Sequence, residues 1–362
     1  MLFQLIQLIQ QQEPEANIIY INKEDISFDH IRTASELNAY ILHHSSKQQT
    51  NHIFIDEIQE IAGFEKTVRS LLLNEKNDLY ITGSNAKLLS GDLATLLAGR
   101  TIEISVYSLS YNEFLTFHKQ TDSDHSLLTY FRYGGLPYLI HLKLTDEIVF
   151  EYLKNIYTTI VYRDVVSRYN IRSTHFLEQL IRFLADHTGS LFSAKSISDF
   201  LKSQQVNMAH NQVQTFTDYL ANAFLIHKVS RYDLEGKRIF ESGEKYYFEN
   251  CGIRNAIVGY KPNDDAKLLE NIVFNQLLYK GYEVKTGKVE TQEIDFVATK
   301  NNETVYLQVA LRLERDKTIE REFGNLLKIK DNYPKLVITM HDQTKNSYKG
   351  IELISVRKFL TE

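Results

Sequence analysis

The sequence predicts a multidomain α/β protein built on a parallel, doubly wound sheet, and three observations carry that expectation. Short apolar stretches with strand character alternate with helical stretches through the first hundred residues, the pattern that strand–helix–strand crossovers produce. One of these, Ile53-Phe54-Ile55, is unbroken and runs into Asp56-Glu57, as a strand buried on both faces does where it reaches the ligand-binding edge of an open sheet. The last hundred residues again set strands beside a helix, with acidic residues on both.

Length and composition fit this class. At 362 residues there is room for two or three domains, each with its own core. Apolar residues at 43% and charged residues at 24% argue against long disordered segments. A net charge of -5 gives no global attraction for nucleic acid or anionic lipid, so such a partner has to meet a local patch. Cys251 is the only cysteine. It excludes an intrachain disulfide, fits a reducing compartment and, with no paired base evident, reads as packing rather than as a nucleophile. No apolar run approaches the roughly 18 residues of a membrane span, and residues 1–7 carry neither a basic leader nor a cleavage site. The expectation is a soluble, cytoplasmic protein with no membrane partner.

The elements follow in order. Leu2, Leu5, Ile6 and Ile9 have helical spacing but no capping residue ahead of them; a helix without a start predicts that something should precede it. Residues 17–22 form the first strand, 31–44 a helix, 52–56 the second strand and 64–73 a helix. Residues 78–82 make a third strand ending in Gly83-Ser84-Asn85. A helix through Leu97 then leads to Gly99-Arg100, and Thr101–Val106 makes a fourth strand.

The strand ends carry candidate chemistry. Asp56 and Glu57 are the pair a nucleoside triphosphatase needs, one carboxylate for Mg²⁺ and one to polarise water. A core strand running into a solvated turn, its acids favoured by the next helix dipole, accounts for them equally well. Ser84 and Asn85 put small polar groups beside those carboxylates, able to orient a water or meet a γ-phosphate, though Gly, Ser and Asn are turn residues anyway. Arg100 reads either as a charge-stabilising finger for a neighbouring subunit's phosphate, which would make a homo-oligomer, or as a surface arginine.

Residues 53–60 (IFIDEIQE), 80–90 (YITGSNAKLLS) and 97–114 (LAGRTIEISVYSLSYNEF) together resemble the bacterial and archaeal AAA-type ATPases that carry a C-terminal domain of unknown function 4143. In that family these blocks are the Walker B strand, the sensor-1 strand and an arginine-bearing segment. The resemblance implies a P-loop-like sheet using ATP and Mg²⁺, with Mg²⁺ held by Asp56, water activated by Glu57, sensing by Ser84 or Asn85, and trans contact by Arg100. It continues through Tyr133-Gly134-Gly135-Leu136-Pro137 and covers essentially the whole chain.

One departure is large. The phosphate loop G-x-x-x-x-G-K-[ST] is absent. Residues 281–288 (GYEVKTGK) have one residue too many between glycines, and Val289 stands where a hydroxyl should follow. In the family the loop leads into a helix very like residues 2–10 (LFQLIQLIQ), so the expectation is a sheet truncated, mis-started or decayed at its leading edge. Without the backbone N–H cradle, nucleotide affinity should be very weak.

The rest of the chain divides into three further modules. Residues 1–118 form the ATPase-like domain and 119–165 a helical lid or linker. Residues 166–260 form a winged helix, with helices at 176–187, 193–202 and 208–223 and strands at 226–232 and 245–248. His210, Asn211, Gln212 and Gln214 of its third helix are the residue types that read bases, and Lys228, Arg231, Lys237 and Arg238 could supply phosphate attraction. A module that only packs domains together, or binds a protein partner, explains them too. Residues 261–362 resemble the PD-(D/E)xK, restriction-endonuclease-like fold: Glu270 on a helix, then Asp295 and Gln308 on successive strands, occupy its metal positions. Ala310 stands where its lysine should be, and Arg312 is too basic to replace it. This predicts a nuclease-like fold kept for binding or packing. Three functions remain open: an ATPase family member impaired in nucleotide binding, a nucleic-acid or protein binding module on an inactive ATPase scaffold, and a Mg²⁺-dependent nuclease.

Overall fold

The computed structural model describes residues 1–85, 99–234, 236, 243–313, 323–343 and 346–362, with Pro262 lacking a described side chain. They fall into two compact units, Met1–Ser105 and Val106–Glu362.

The first unit is a three-stranded parallel sheet ordered β1-β2-β3. Its elements are α1 (Leu2–Gln12), β1 (Asn17–Asn22), α2 (Ala34–His44), β2 (Asn51–Asp56), α3 (Phe64–Leu71) and β3 (Asn77–Ile81). The central strand, β2, is buried from Asn51 to Ile55. Period-2 alternation sends Ile53 and Ile55, with Ile19 and Ile21 of β1, against Leu37 and Ile41 of α2 and Val68 and Leu71 of α3. Aromatic rings cover the opposite face: Phe54 stacks on Tyr80 at 4.5 Å, and Phe3 of α1 meets Tyr20 at 5.1 Å. A capping box starts α2, the Thr33 hydroxyl accepting from the Glu36 N–H while the Glu36 carboxylate accepts from the Thr33 N–H.

The expected fourth strand is corrected. Residues 101–106 carry no strand, and Ile102, Ile104 and Val106 are 91%, 77% and 66% exposed. Their alternation has strand character, but a strand exists only where a neighbour takes its N–H and C=O groups. No described strand pairs with them, and β3 is paired only with β2 in the described sheet.

The second unit holds a nine-stranded mixed sheet ordered β11-β12-β10-β9-β8-β7-β5-β6-β4. Its helices are α4 (Tyr111–Phe117), α5 (Asp124–Tyr133), α6 (Asp146–Thr159), α7 (Thr174–Asp186), α8 (Ala194–Ser203), α9 (His210–Asn222), α10 (Cys251–Val258), α11 (Asp265–Tyr279) and α12 (Val356–Thr361). Its strands are β4 (Leu191–Phe192), β5 (Ile226–Asp233), β6 (Glu244–Phe248), β7 (Glu283–Val289), β8 (Gln292–Lys300), β9 (Glu303–Ala310), β10 (Lys335–Thr339), β11 (Ser347–Tyr348) and β12 (Ile351–Ser355). The antiparallel pairs β7–β8 and β8–β9 give way to parallel pairs β9–β10 and β10–β12. α6 runs on directly into a π-helical segment, Ile160–Ser167, with Asp164 buried.

The compact units divide after Ser105, and the stretches expected as separate modules from residue 119 onward all lie in the second. The reason is shared cores. Tyr111 and Phe114 of α4 and Phe131 of α5 pack in one cluster with Leu268 and Phe274 of α11 and Phe296 of β8. A second cluster joins Val149 and Leu153 of α6 to Leu180 and Ile181 of α7, Val213 of α9 and Ile253 of α10. Residues 134 and 135 are a close packing joint within the second unit. A Cβ at Gly134 would collide with the Asn250 side chain, and one at Gly135 with the Leu109 carbonyl.

Candidate functional site

In the first unit the C-terminal ends of β2 and β3 bring the sequence-predicted acids to a network of hydroxyl and amide groups. Asp56 Oδ1 accepts from the Thr82 hydroxyl, and Asp56 Oδ2 from the Tyr20 hydroxyl at 3.5 Å. Burial first, then the Asp56 carboxylate, hold the Tyr20 phenol above its ordinary range. Thr82 is placed by the parallel register: its N–H donates to the Ile55 carbonyl at 3.0 Å and its carbonyl accepts from Ile58 N–H at 3.1 Å. The Thr82 hydroxyl oxygen accepts from the Glu57 N–H at 3.3 Å. Glu57 has φ +55° and ψ +48°, a left-handed conformation that is uncommon for a residue with a Cβ and recurs at functional turns. It turns the chain sharply off β2 and sets the Glu57 carboxylate beside the Gln59 amide, which donates both to Glu57 Oε2 and to Ser84 Oγ, the latter at 3.2 Å.

Thus Asp56, Glu57 and Ser84 come together, and the structure adds Thr82 and Gln59 to them. Asn85 is buried next to Ser84 and Arg100 is exposed. The sequence holds a signal for Gln59, two residues after the acid pair, and for Thr82, the last residue before Gly83. Only the register shows that both point at the carboxylates.

The second unit contains a separate charged cluster. Glu270 of α11 and Glu293 and Asp295 of β8 converge on one ammonium, Lys245 of β6. Its Nζ lies 2.8 Å from Glu270, 2.7 Å from Glu293 and 3.7 Å from Asp295. The Tyr247 hydroxyl, two residues along β6, donates to Glu270 at 2.6 Å. Asp295 Oδ2 accepts from the Val309 N–H at 2.8 Å, and the Asp295 N–H donates to Gln308 Oε1 at 3.3 Å. Burial, and then the neighbouring Glu270 charge, push the Asp295 carboxyl well above the usual carboxylate range. Burial alone would pull Lys245 down, but Glu270, Asp295 and Glu293 outweigh it and hold the ammonium charged. Among the described residues no group of three or more His, Cys, Asp or Glu is arranged to hold a metal ion. Lys245 lies far from Glu270 and Asp295 in sequence, and no local pattern ties it to them.

The expected nucleic-acid residues have different surroundings. Lys228 is held by Asp218 at 2.7 Å and Glu244 at 3.3 Å, which compensates its charge. Arg231 sits on β5 where that strand pairs with β7, and Lys237 and Arg238 lie outside the described residues. His210, Asn211, Gln212 and Gln214 are exposed on α9. No helix among the described residues is long and apolar enough to cross a membrane.

Comparison with known proteins defines the class. Residues 2–115 match a model described as an AAA domain, and residues 124–264 match one described as a domain of unknown function (DUF8612), a different domain of unknown function from the one the motifs suggested. The chain is therefore an AAA-type domain joined to a second domain whose function is not established. An uncharacterized protein of Haemophilus influenzae is 39% identical over 362 residues, 98% of this chain and 89% of that protein; the chain belongs to the same family. The uncharacterized protein MJ1544 of Methanocaldococcus jannaschii is 31% identical, covering 80% of this chain and 66% of its own length. Among solved structures, the Walker-type ATPase paby2304 of Pyrococcus abyssi superposes with a TM-score of 0.39 at 14% identity, over 62% of this chain and 66% of that one. Cdc6p from Pyrobaculum aerophilum gives 0.27 at 12% identity, over 74% and 83%.

Proposed function

We propose that the first unit is an ATP- and Mg²⁺-handling ATPase scaffold whose state is passed to the second unit. The observation that supports this is the juxtaposition of two pairs at the ends of adjacent parallel strands, Asp56 with Thr82 and Glu57 with Gln59. A carboxylate beside a hydroxyl is a donor set that suits a hard cation such as Mg²⁺; when bound, Mg²⁺ would neutralise charge on the phosphates. Glu57 would take a proton from the attacking water, while Gln59 fixes the Glu57 carboxylate and Ser84 shares its amide. Arg100 is the candidate for contact with a neighbouring subunit. The residues do not fit the nucleotide equally well, because no glycine-rich phosphate loop occurs in these 362 residues. This polypeptide should therefore hold ATP weakly, with backbone N–H donors for the phosphates missing.

The test is steady-state ATP turnover by the 362-residue chain, and by a version carrying a strand and a G-x-x-x-x-G-K-[ST] loop in frame ahead of Leu2. The reading expects almost no turnover from the first. The second should turn over ATP, and Glu57→Gln should abolish that activity. Turnover that survives Asp56→Ala or Glu57→Gln in either version would sink it.

A second reading, a nucleic-acid or protein binding module resting on an inactive ATPase scaffold, is favoured by one specific observation. The element order α7, β4, α8, α9, β5, β6, with β4 and β5 flanking β6 antiparallel, is the order of a winged helix. The order α11, β7, β8, β9 and then parallel β10 is likewise compatible with a nuclease-like core. Nucleic-acid contact through Arg231, Lys237 and Arg238 would give DNA binding that weakens steeply with salt and falls on Lys237→Ala with Arg238→Ala.

A further inference from the structure

We infer that Lys245 is a resident cation, a covalently attached ammonium standing where the acid cluster of the second unit would otherwise collect a divalent metal. The inference rests on the ion-pair geometry and not on the ATPase reading of the first unit.

Three carboxylates reach this point from two elements, Glu270 from α11 and Glu293 and Asp295 from one face of β8. Oxygen donors converging in this way are what a hard divalent cation requires. Here the convergence point is filled. Lys245 Nζ is 2.7 Å and 2.8 Å from the two glutamates and 3.7 Å from the aspartate, and the lysine side chain is 2% exposed. The surroundings hold the carboxylates around it: Tyr247 Oη donates to Glu270, the Val309 N–H donates to Asp295, and a Cβ at Gly189 would stand 3.2 Å from the Glu270 carboxylate. A metal cannot enter without displacing the ammonium, for steric reasons and because two cations would share one set of donors.

The consequence is chemical. A metal-dependent phosphodiester hydrolase needs its carboxylates on the metal and an open position for water. In this chain those carboxylates are committed to an internal ion pair. Ala310, at the sequence position expected to carry lysine, lies on β9, whereas the lysine that meets the acids is on β6. The cluster joins β6, α11 and β8, and its role is to hold these elements together.

Removing the ammonium should open a divalent-cation site. Mn²⁺ titrations of the full chain, read as loss of the free-ion paramagnetic signal, would compare wild type, Lys245→Ala and Lys245→Ala with Asp295→Asn. The wild-type chain should take up no Mn²⁺ that depends on Asp295. The single variant should bind one equivalent at least about tenfold more tightly than wild type, a shift of about 1.4 kcal/mol, and the double variant should return to the wild-type level. Lys245→Met, which keeps the stem and removes the charge, replaces Lys245→Ala if that variant does not fold. If neither folds, wild type against Glu293→Gln decides, since a wild-type equivalent of Mn²⁺ lost in Glu293→Gln overturns the inference and its absence upholds it. Uptake by wild type that Asp295→Asn abolishes, or a folded lysine variant that binds no better than wild type, overturns it as well.

Discussion

Gly252 sits where the backbone of α10 passes the end of α5, and a Cβ there would run into the Tyr133 carbonyl oxygen. The obstacle is main chain and cannot swing aside. Gly252→Ala should cost on the order of 3 kcal/mol, checked as a fall in the denaturant midpoint with the slope unchanged. Its neighbour Cys251 is 3% exposed, and burial pushes its thiol up to about 12. The folded chain should therefore resist a thiol reagent at pH 8 and release one reactive thiol on unfolding, read by absorbance in native and denaturing buffer. At Gln59 the expectation is catalytic. In a loop-bearing version of the chain, Gln59→Ala should lower kcat by roughly 10²-fold, the scale of a mis-set general base, with an unchanged denaturant midpoint. Sequence reading reached Asp56, Glu57 and Ser84 because they sit at strand ends marked by apolar runs. It passed over Thr82 and Gln59 because their roles come from pairing between strands.

At the scale of elements, one arginine ties α12 to the chain at residues 122–124. Arg357 donates through Nη2 to Asp122 at 2.8 Å and through Nη1 to Asp124 at 3.1 Å. The Arg357 hydrogen bond holds the Asp122 carboxyl below its usual range. The folded form therefore prefers the deprotonated acid. Stability from this contact is fully present above the ordinary carboxylate range and is lost as pH falls through the lowered value. Because the pair is partly exposed, Asp122→Asn should cost at most about 1 kcal/mol at pH 7. That difference should shrink toward zero in thermal melts taken below pH 3. Arg254 of α10 is the opposite case. It is fully buried, donating to the Ala185 carbonyl and to Asp264 at 2.8 Å each, so it links the end of α7 to the start of α11. Helix and strand positions were largely legible, since local periodicity and caps such as Thr33 with Glu36 fix them.

At the scale of the molecule, the chain passes from the first unit to the second through a segment that no described strand pairs. Residues 101–106 are exposed irregular backbone, which a protease can bind in extended form. Limited proteolysis should cut there first, releasing a fragment that begins near Val106 and persists. Mass spectrometry of the early products checks this, and an initial cut inside α7 or α11 would contradict it. Within the second unit, apolar residues from 119–165, 166–260 and 261–362 enter shared cores. Composition and motif spacing cannot reveal this, since a buried Phe looks the same whether its partners are near or far in the chain.

By itself the sequence determined the alternating elements of the first hundred residues, the acid pair at a strand end, and the acids of the last hundred. Each is written in neighbouring residues through period, burial pattern or turn chemistry. Only the tertiary structure decided that Thr82 bonds Asp56, that no described strand pairs with residues 101–106, and that Lys245 meets Glu270, Glu293 and Asp295. These depend on which distant groups share a small volume, and there Coulomb attraction and unsatisfied hydrogen bonds select partners that local pattern does not encode.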